Sequence, residues 1–412
     1  MAADLKQLDV PDARFSCAGC GRCCSTSWAV TLDATKAEQL RKHAWNLPGG
    51  VDPFVEHKGP GGDFRLRMVD GHCVFLDADK RCRIHAELGY EHKPESCKAF
   101  PLQFGVSQGV SYARLSFYCP TVCKGEGKKL TEQMKWVRAA ARATNAEERT
   151  EATTLDGARA LGARDFAALH GALVSAASGG APLHERLAAV AGTVRVLVAD
   201  AAGGDPAPAI GPLIERAAAL PLHERVARGL ADGSASSGWS MVSLYLSTDA
   251  RPTTAARLLQ LARLRLSSIG LAQHHSAFLR ASASASKRSR VRFTTDEASL
   301  ARVDRYLQHK LAARAYLTGH PSVVQGVNSL FTALAVLATM ARLSAAGAGR
   351  DATGEADVAA GLEAADLLVL EHATLGQTPS MGAALARLLA DETLSASMLA
   401  FARFAEPASD QR

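Results

Sequence analysis

The chain has 412 residues, of which 47% are hydrophobic and 21% charged, with a net charge of +6. That is length for two or three domains and the composition of a chain that folds rather than one that stays disordered. Aromatic residues make up only 6%, which argues against a stacking platform for single-stranded nucleic acid, so nucleic acid is not an expected partner.

Residues 1–14 read as a loose polar lead-in. The opening MAADLKQLDVPD shows neither a basic n-region nor an apolar h-region, so no secretory signal is expected and the default location is the cytoplasm. Phe15–Cys24 (FSCAGCGRCC) then places Cys17, Cys20, Cys23 and Cys24 within eight residues. Five more cysteines follow, Cys73, Cys82, Cys97, Cys119 and Cys123, and none lies beyond. The chain therefore divides into a thiol-rich head and a thiol-free body, expected at 1–126 and 127–412.

A Cys-x-x-Cys pair in a tight turn aims both sulfurs at one point. Gly19 and Gly21 flank Cys20 and reach positive φ without steric cost, so Cys20-Gly21 is a plausible knuckle. A disulfide between the neighbours Cys23 and Cys24 would be strained, because ordinary bridges need Cα atoms about 4.4–6.8 Å apart. A wider disulfide scaffold needs an oxidising compartment. Free cysteines do serve as small core hydrophobes, but four in eight residues beside Arg22 and Ser25 do not read as a core. The spacing points to thiolates binding a metal or an iron–sulfur cluster, whose bonds are expected to stand in for the apolar interior that so short a lobe lacks.

Trp28–Leu32 reads as a short strand, and Asp33 or Thr35 can cap a helix to about His43 with Ala37, Leu40 and Ala44 on its apolar side. Loops follow at 46–52 and 58–63. Phe64–Ile84 reads as one small antiparallel sheet. Phe64, Leu66 and Met68 alternate with Arg65, Arg67 and Val69, Asp70-Gly71 is a hairpin dipeptide, and Cys73–Leu76 is the return strand. Cys73 and Cys82 are thus placed to join one site. His85–Leu88 starts a short helix that stops at Gly89, and Lys93–Cys97 is a Pro-initiated turn. Leu102–Val106 and Ser111–Phe117 form a second hairpin about 107–109 that delivers Cys119, and Pro120 ends the strand.

From Leu130 the apolar period changes from 2 to 3.6 and the body reads as all-α. Helices are expected at about 130–146, 163–178, 183–200, 207–219, 222–231, 238–248, 253–268, 270–281, 296–317, 321–346, 355–373 and 380–404. Breaks are expected at 178–182, 203–208, 233–238, 347–354 and 376–379. Val323–Leu343 is apolar but contains Gln325, Asn328 and Arg342, so it reads as a buried helix, and no membrane is expected as a partner. The string Pro-Leu-His-Glu-Arg occurs at 182–186 and 221–225, with a close copy at 212–216. It suits helix starts. Ser282–Arg292 reads as a flexible basic loop, either simply solvated or a candidate for docking an acidic protein or nucleic acid, and Thr294 with Glu297 as a capping box.

The run Cys17-Ala-Gly-Cys20-Gly-Arg-Cys23-Cys24 resembles the CxxCxxCC, or YkgJ-like, family of zinc- or iron-chelating domains. The later blocks Cys73-Val-Phe-Leu76, Cys82-Arg-Ile84 and Pro94-Glu-Ser-Cys97-Lys-Ala-Phe100-Pro101 resemble that family in the same order. His85–Gly89, Ser116–Pro120 and Asp304–Leu307 are similar to flagellin lysine N-methylases, which look like this domain followed by a long helical body. The resemblance implies a metal or [4Fe–4S] site drawn from Cys17, Cys20, Cys23, Cys24, Cys73, Cys82, Cys97 and Cys119. It also implies S-adenosylmethionine as a cofactor and a protein such as flagellin as substrate.

Eight thiols are twice the four ligands of one structural zinc. They suit two zinc ions, or one [4Fe–4S] cluster with thiols to spare. Cys123 lies outside the matched blocks, and His72 and His85 read as local hydrogen-bonding groups. The chain has no strand–GxGxxG–helix unit, and only half of a Cys-x3-Cys-x2-Cys pattern at Cys119 and Cys123. Three functions stay open: a cluster-bearing protein-modifying enzyme, a non-catalytic metal module on a helical scaffold, and metal storage or delivery. The expected fold is α+β, a small cysteine-rich head with short antiparallel hairpins followed by a large helical domain.

Overall fold

The structure is a computed structural model, and it describes residues 8–25, 30–58, 62–107, 110–143, 154–202, 209–249, 254–317, 319–371 and 379–404. The chain forms two compact units, Met1–Gly105 with Ser111–Glu148, and Val106–Val110 with Arg149–Arg412. A small strand and hairpin region carries the cysteines, and a large helical region follows.

In the first unit, β1 (Leu8–Asp9) and β2 (Arg14–Phe15) give the lead-in a fixed course. Leu8 pairs in parallel with Ser111, and Phe15 pairs antiparallel with Lys128. The expectation of a loose segment is corrected over these residues, because backbone pairing holds what composition alone leaves free. β3 (Thr31–Leu32) is shorter than expected, and Trp28 and Ala29 lie outside the described residues. α1 (Ala34–Arg41) is capped by the Asp33 carboxylate, which accepts from the Lys36 N–H. It buries Ala37 and Leu40, while Ala44 falls past its end and is exposed.

β4 (Phe54–Glu56) and β5 (Phe64–Leu66) complete a three-stranded sheet with β3. β6 (Met68–Val69) and β7 (His72–Cys73) form a separate hairpin, so the single sheet expected over 64–84 is two. The chain divides at Arg67, whose N–H donates to Pro53 and whose carbonyl accepts from Val74. Asp70 and Gly71 both have positive φ, 49° and 82°, as a two-residue type I′ hairpin turn requires.

α2 (Glu95–Ala99) occupies the expected turn after Pro94 and places Cys97 on a helix. β8 (Leu102–Ser107) and β9 (Val110–Leu115) are the second hairpin, whose expected turn residues 108 and 109 lie outside the described residues. Pro120 opens α3 (Pro120–Lys124) rather than only closing a strand. Proline suits a first helical position because its missing N–H would have no partner there. After β10 (Lys128–Lys129), α4 (Met134–Ala143) packs on α2.

The first unit has an apolar core of its own. Leu32, Ala37, Leu40, Leu47, Phe54, Leu66, Val74, Phe75 and Ile84 are buried together with Cys73. The expectation that sulfur ligation replaces such a core is corrected: the cysteines border an interior that hydrophobic burial already organises.

The second unit begins with α5 (Ala163–Ala177), α6 (Leu183–Ala202), α7 (Ile210–Ala219), α8 (Leu222–Leu230), α9 (Ala235–Leu246) and α10 (Thr254–Ser268). The break at 203–208 lies outside the described residues. α6 and α8 touch through glycine: a Cβ on Gly192 would strike the Arg225 carbonyl, and one on Gly229 the Ala188 carbonyl. Two of the Pro-Leu-His-Glu-Arg strings do start α6 and α8, but Pro212 lies within the first turn of α7. Arg186 of the first string is buried and pairs with Asp304 at 2.5 Å.

The body is not all-α. The helix expected over 270–281 is a hairpin of β11 (Gln273–Ser276) and β12 (Ala281–Ser284), turned through Arg280 at φ 51°. The loop expected over 282–292 continues as α11 (Ala285–Arg290), with Arg288 buried against His274 and Trp239. The next helix is α12 (Glu297–Ala312), capped by Asp296 rather than Thr294. The Asp296 carboxylate reaches the Ser299 N–H, while Thr294 donates its hydroxyl to Asp296.

α13 (Val323–Gly347) is long and apolar enough to cross a bilayer, yet its most apolar window is entirely buried within the protein. α14 (Glu355–Ala365), α16 (Leu394–Ala402), α9 and β12 pack around it. α15 (Pro379–Leu389) and α16 divide the single helix expected over 380–404, with the break at Ala390–Thr393. Asp391 causes it by accepting the Thr393 N–H and hydroxyl. Lys310 of α12 and Asp366 are both fully buried, with Nζ 2.5 Å from Oδ1.

Candidate metal centre

The first cysteines hang from a well-anchored strand. Phe15 stacks on Trp136 with ring centroids 5.5 Å apart, and the Gln133 amide donates to the Phe15 carbonyl at 2.9 Å. Beyond that anchor the chain runs exposed through Cys17 and Cys20. Gly19 and Gly21 take φ of 64° and 69°, the left-handed turn that glycine supplies most readily. Gly21 is also closely packed, since a Cβ there would lie 3.1 Å from both Leu76 and Lys80.

Arg22–Cys24 then closes as one 3₁₀ turn, with the Cys24 N–H donating to the Gly21 carbonyl at 3.0 Å. Ser25 Oγ donates to that same carbonyl and is within 2.9 Å of His72 Nδ1. Cys73 ends β7, and Leu76 forms a β-bridge with Cys82 across the Asp77–Lys80 turn. Cys97 rides on α2, and Cys119 caps α3.

Cys23, Cys24, Cys73, Cys82 and Cys97 line one cavity of about 60 Å³, whose other walls are apolar side chains with Lys93 and Ser96. A wider cleft of about 860 Å³ is lined by Cys17, Cys20 and Cys119 together with Cys23, Cys24, Cys82 and Cys97. All eight candidate cysteines therefore face one space or the other, and four face both. Among the described residues, no Asp or Glu lines either space. Cys123 stands apart, its buried thiol donating to the Phe117 carbonyl at 2.8 Å. His85 lines the cleft and meets the Tyr90 ring edge-on.

Among the described residues, no three His, Cys, Asp or Glu side chains are gathered tightly enough to hold a metal ion as they stand. The sulfurs border a space and do not meet at a point. The donor chemistry still fits a thiophilic centre. Thiolates select zinc and iron–sulfur cores, whereas hard ions such as Mg²⁺ and Ca²⁺ favour carboxylate oxygens, which none of the described lining residues supplies.

The electrostatics are those of thiols held apart from water. The hydrogen bond with Cys24 lowers the Cys23 pKa to about 7, while the same bond and burial push Cys24 upward. Burial raises Cys73 to about 11, and it raises Cys97 as well. Cys119 rises to about 11 for the same reason. Burial disfavours the Lys93 ammonium, but Cys97, Cys82, Cys23 and Cys24 more than offset it and its pKa is raised.

Lys93 is the member of the site that the sequence reading missed. It lines both spaces, and its ammonium also lies 5.5 Å from the Tyr90 ring centre. The available signal was a cation four residues before Cys97 in the Pro94 turn.

Residues 16–124 match the model of the CxxCxxCC family, described as a "putative zinc- or iron-chelating domain". The flagellar biosynthetic protein FliU of Salmonella muenchen is 29% identical over 129 residues, 29% of this chain and 76% of that protein. A lysine-N-methylase of Salmonella typhimurium is 28% identical over 129 residues, again 29% of this chain but 32% of the relative. An uncharacterized protein of Methanocaldococcus jannaschii is 28% identical over 117 residues, 28% of this chain and 39% of its own length. The chain thus spans about a third of the lysine-N-methylase it matches. No solved structure matches the chain.

Proposed function

We propose that the CxxCxxCC domain of this chain binds an iron–sulfur cluster through thiolates drawn from Cys17, Cys20, Cys23, Cys24, Cys73, Cys82, Cys97 and Cys119. The observation that carries this reading is the cavity bordered by five of those cysteines, with no carboxylate among its described lining residues. A lone zinc pulls four sulfurs to about 2.3 Å. The eight thiols that border the two spaces are twice the four a lone zinc needs, which supports an inorganic core of several atoms. When bound, such a core supplies redox chemistry. Zinc in the same thiolates would instead act as a structural clamp.

The test is anaerobic purification followed by metal and sulfide analysis and an absorbance spectrum. A brown protein with a broad band near about 400 nm and matched iron and sulfide supports the cluster. A colourless protein with stoichiometric zinc overturns it in favour of zinc.

The similarity to lysine-N-methylases extends the reading to chemistry. In it the chain transfers a methyl group from S-adenosylmethionine to the Nε of a lysine on a protein such as flagellin. The sulfonium C–S bond breaks, the N–C bond forms, and S-adenosylhomocysteine and a proton leave. The open cleft beside the cysteines favours a site that admits a ligand over a purely structural staple. Incorporation of radiolabelled methyl into flagellin by the purified protein supports this. Its absence under reducing, cluster-loaded conditions favours the non-catalytic metal module.

A further inference from the structure

α10 is built inside out. Its inward face buries Gln260, Leu264 and Ser267, and the Gln260 amide donates to the His275 carbonyl at 2.8 Å. Its outward face carries Leu258 and Leu259, each more than half exposed, with Ala262 and Leu266 further along the same face. Ile269 and Leu271, just past its end, are 68% and 74% exposed. With about 3.6 residues per turn, Leu258, Ala262 and Leu266 form one stripe, edged by Arg265 on one side and Arg263 on the other. Scattered surface leucines are ordinary, but a continuous exposed stripe opposite a face that buries Gln260 and Ser267 beside Leu264 marks an interaction surface.

Charge identifies the occupant. Residues 250–295 contain eight arginines, one lysine and no Asp or Glu. Arg263, Arg265, Arg280, Lys287 and Arg290 are all exposed, and none forms an ion pair with a carboxylate among the described residues. A second copy presenting the same stripe would bring arginine to arginine, which disfavours self-association. The stripe has no Trp or Tyr, the residues enriched at membrane–water interfaces. Leucines at helical spacing with cationic edges fit the docking of one helix against another.

We propose that the exposed leucine stripe of α10, with Arg263 and Arg265 at its edges, is the docking surface for an acidic amphipathic helix of a partner protein. The surface lies wholly within the second unit and is independent of the metal reading.

The probe is a fluorescein-labelled helical peptide of about 20 residues with leucines on one face and glutamates along its edges, titrated against the full chain. A matched peptide with lysines at those edges is the control. Binding of the glutamate peptide only, weakening by about tenfold or more in L258S/L266S and in R263E/R265E and falling with salt, supports the proposal. Circular dichroism of these exposed-residue variants verifies that they fold. Equal binding of both peptides, or no binding, overturns it. So does co-sedimentation with vesicles of anionic phosphatidylglycerol in the absence of peptide binding. A concentration-dependent dimer abolished by L258S/L266S overturns it in favour of a second copy.

Discussion

The sulfurs of Cys23 and Cys24 lie 4.0 Å apart on one 3₁₀ turn. That is about twice an S–S bond length and close enough for one proton to serve both. The turn is set by Gly21, whose positive φ and lack of a side chain let the loop lie against Leu76 and Lys80. Cys24→Ala is expected to lower bound metal by more than half, measured by metal analysis. The helical circular dichroism of the second unit should persist. Wholesale loss of helix would refute the separation of the two units.

The Lys93 ammonium is held among sulfurs, facing Cys23, Cys24, Cys82 and Cys97. Removing a charge from a partly buried set leaves the opposite charge uncompensated. Lys93→Met should release metal to a chelator at least about tenfold faster than the unmodified protein, and Lys93→Arg should recover most of the loss. Unchanged release kinetics in Lys93→Met would remove Lys93 from the site.

For the metal-free protein the alkaline side is the sensitive one. The folded pKa of Cys73 is raised from 9.0 to about 11. The stability linked to its protonated form is complete below pH 9 and is lost as pH rises from 9 through 11. Denaturant melts of the metal-free protein should show that decline, about 2–3 kcal/mol for this group. It should be reduced in Cys73→Ala. Metal-loaded protein, whose thiols are already ionised, should not show it.

In the second unit the sensitive side is acid. Burial, then the neighbouring Arg288, lowers the His274 pKa from 6.5 to about 3, and its Nδ1 lies 3.0 Å from the Arg288 guanidinium. A depressed histidine leaves stability complete above pH 6.5 and loses it as pH falls from 6.5 toward 3. Thermal melts between those values should show a falling midpoint. A midpoint independent of pH over that range would contradict the buried neutral imidazole.

The α6–α8 contact depends on the absence of two side chains. Gly192→Ala or Gly229→Ala should destabilise the second unit by about 3 kcal/mol or more, because the methyl meets a backbone carbonyl that has no rotamer to move to. Chemical denaturation is the measurement. A loss below about 1 kcal/mol would mean that the helices separate freely.

Much of this was legible in order along the chain. Period-2 runs gave the Phe64 and Leu102 strands, period 3.6 gave most of the helices, and Asp70-Gly71 gave a hairpin turn. What failed did so for a local reason. Residues 270–281 have an apolar pattern that suits helix or strand at that length, and Arg280 in a positive-φ turn decided for strand. Asp391 broke the last long helix by capturing Thr393, a bond that propensity does not register.

The sequence by itself determined which atoms the first unit has to offer: nine thiols, eight of them in family-like blocks, and none beyond Cys123. Ligand chemistry depends on residue type, and residue type is written in the chain. Only the tertiary structure decided that Cys23, Cys24, Cys73, Cys82 and Cys97 border one space, that Lys93 joins them, and that Cys123 is spent on a carbonyl. It alone turned the leucines of α10 outward. Both are matters of which neighbours win a side chain's burial, and that competition is settled across segments far apart in the sequence rather than within any one of them.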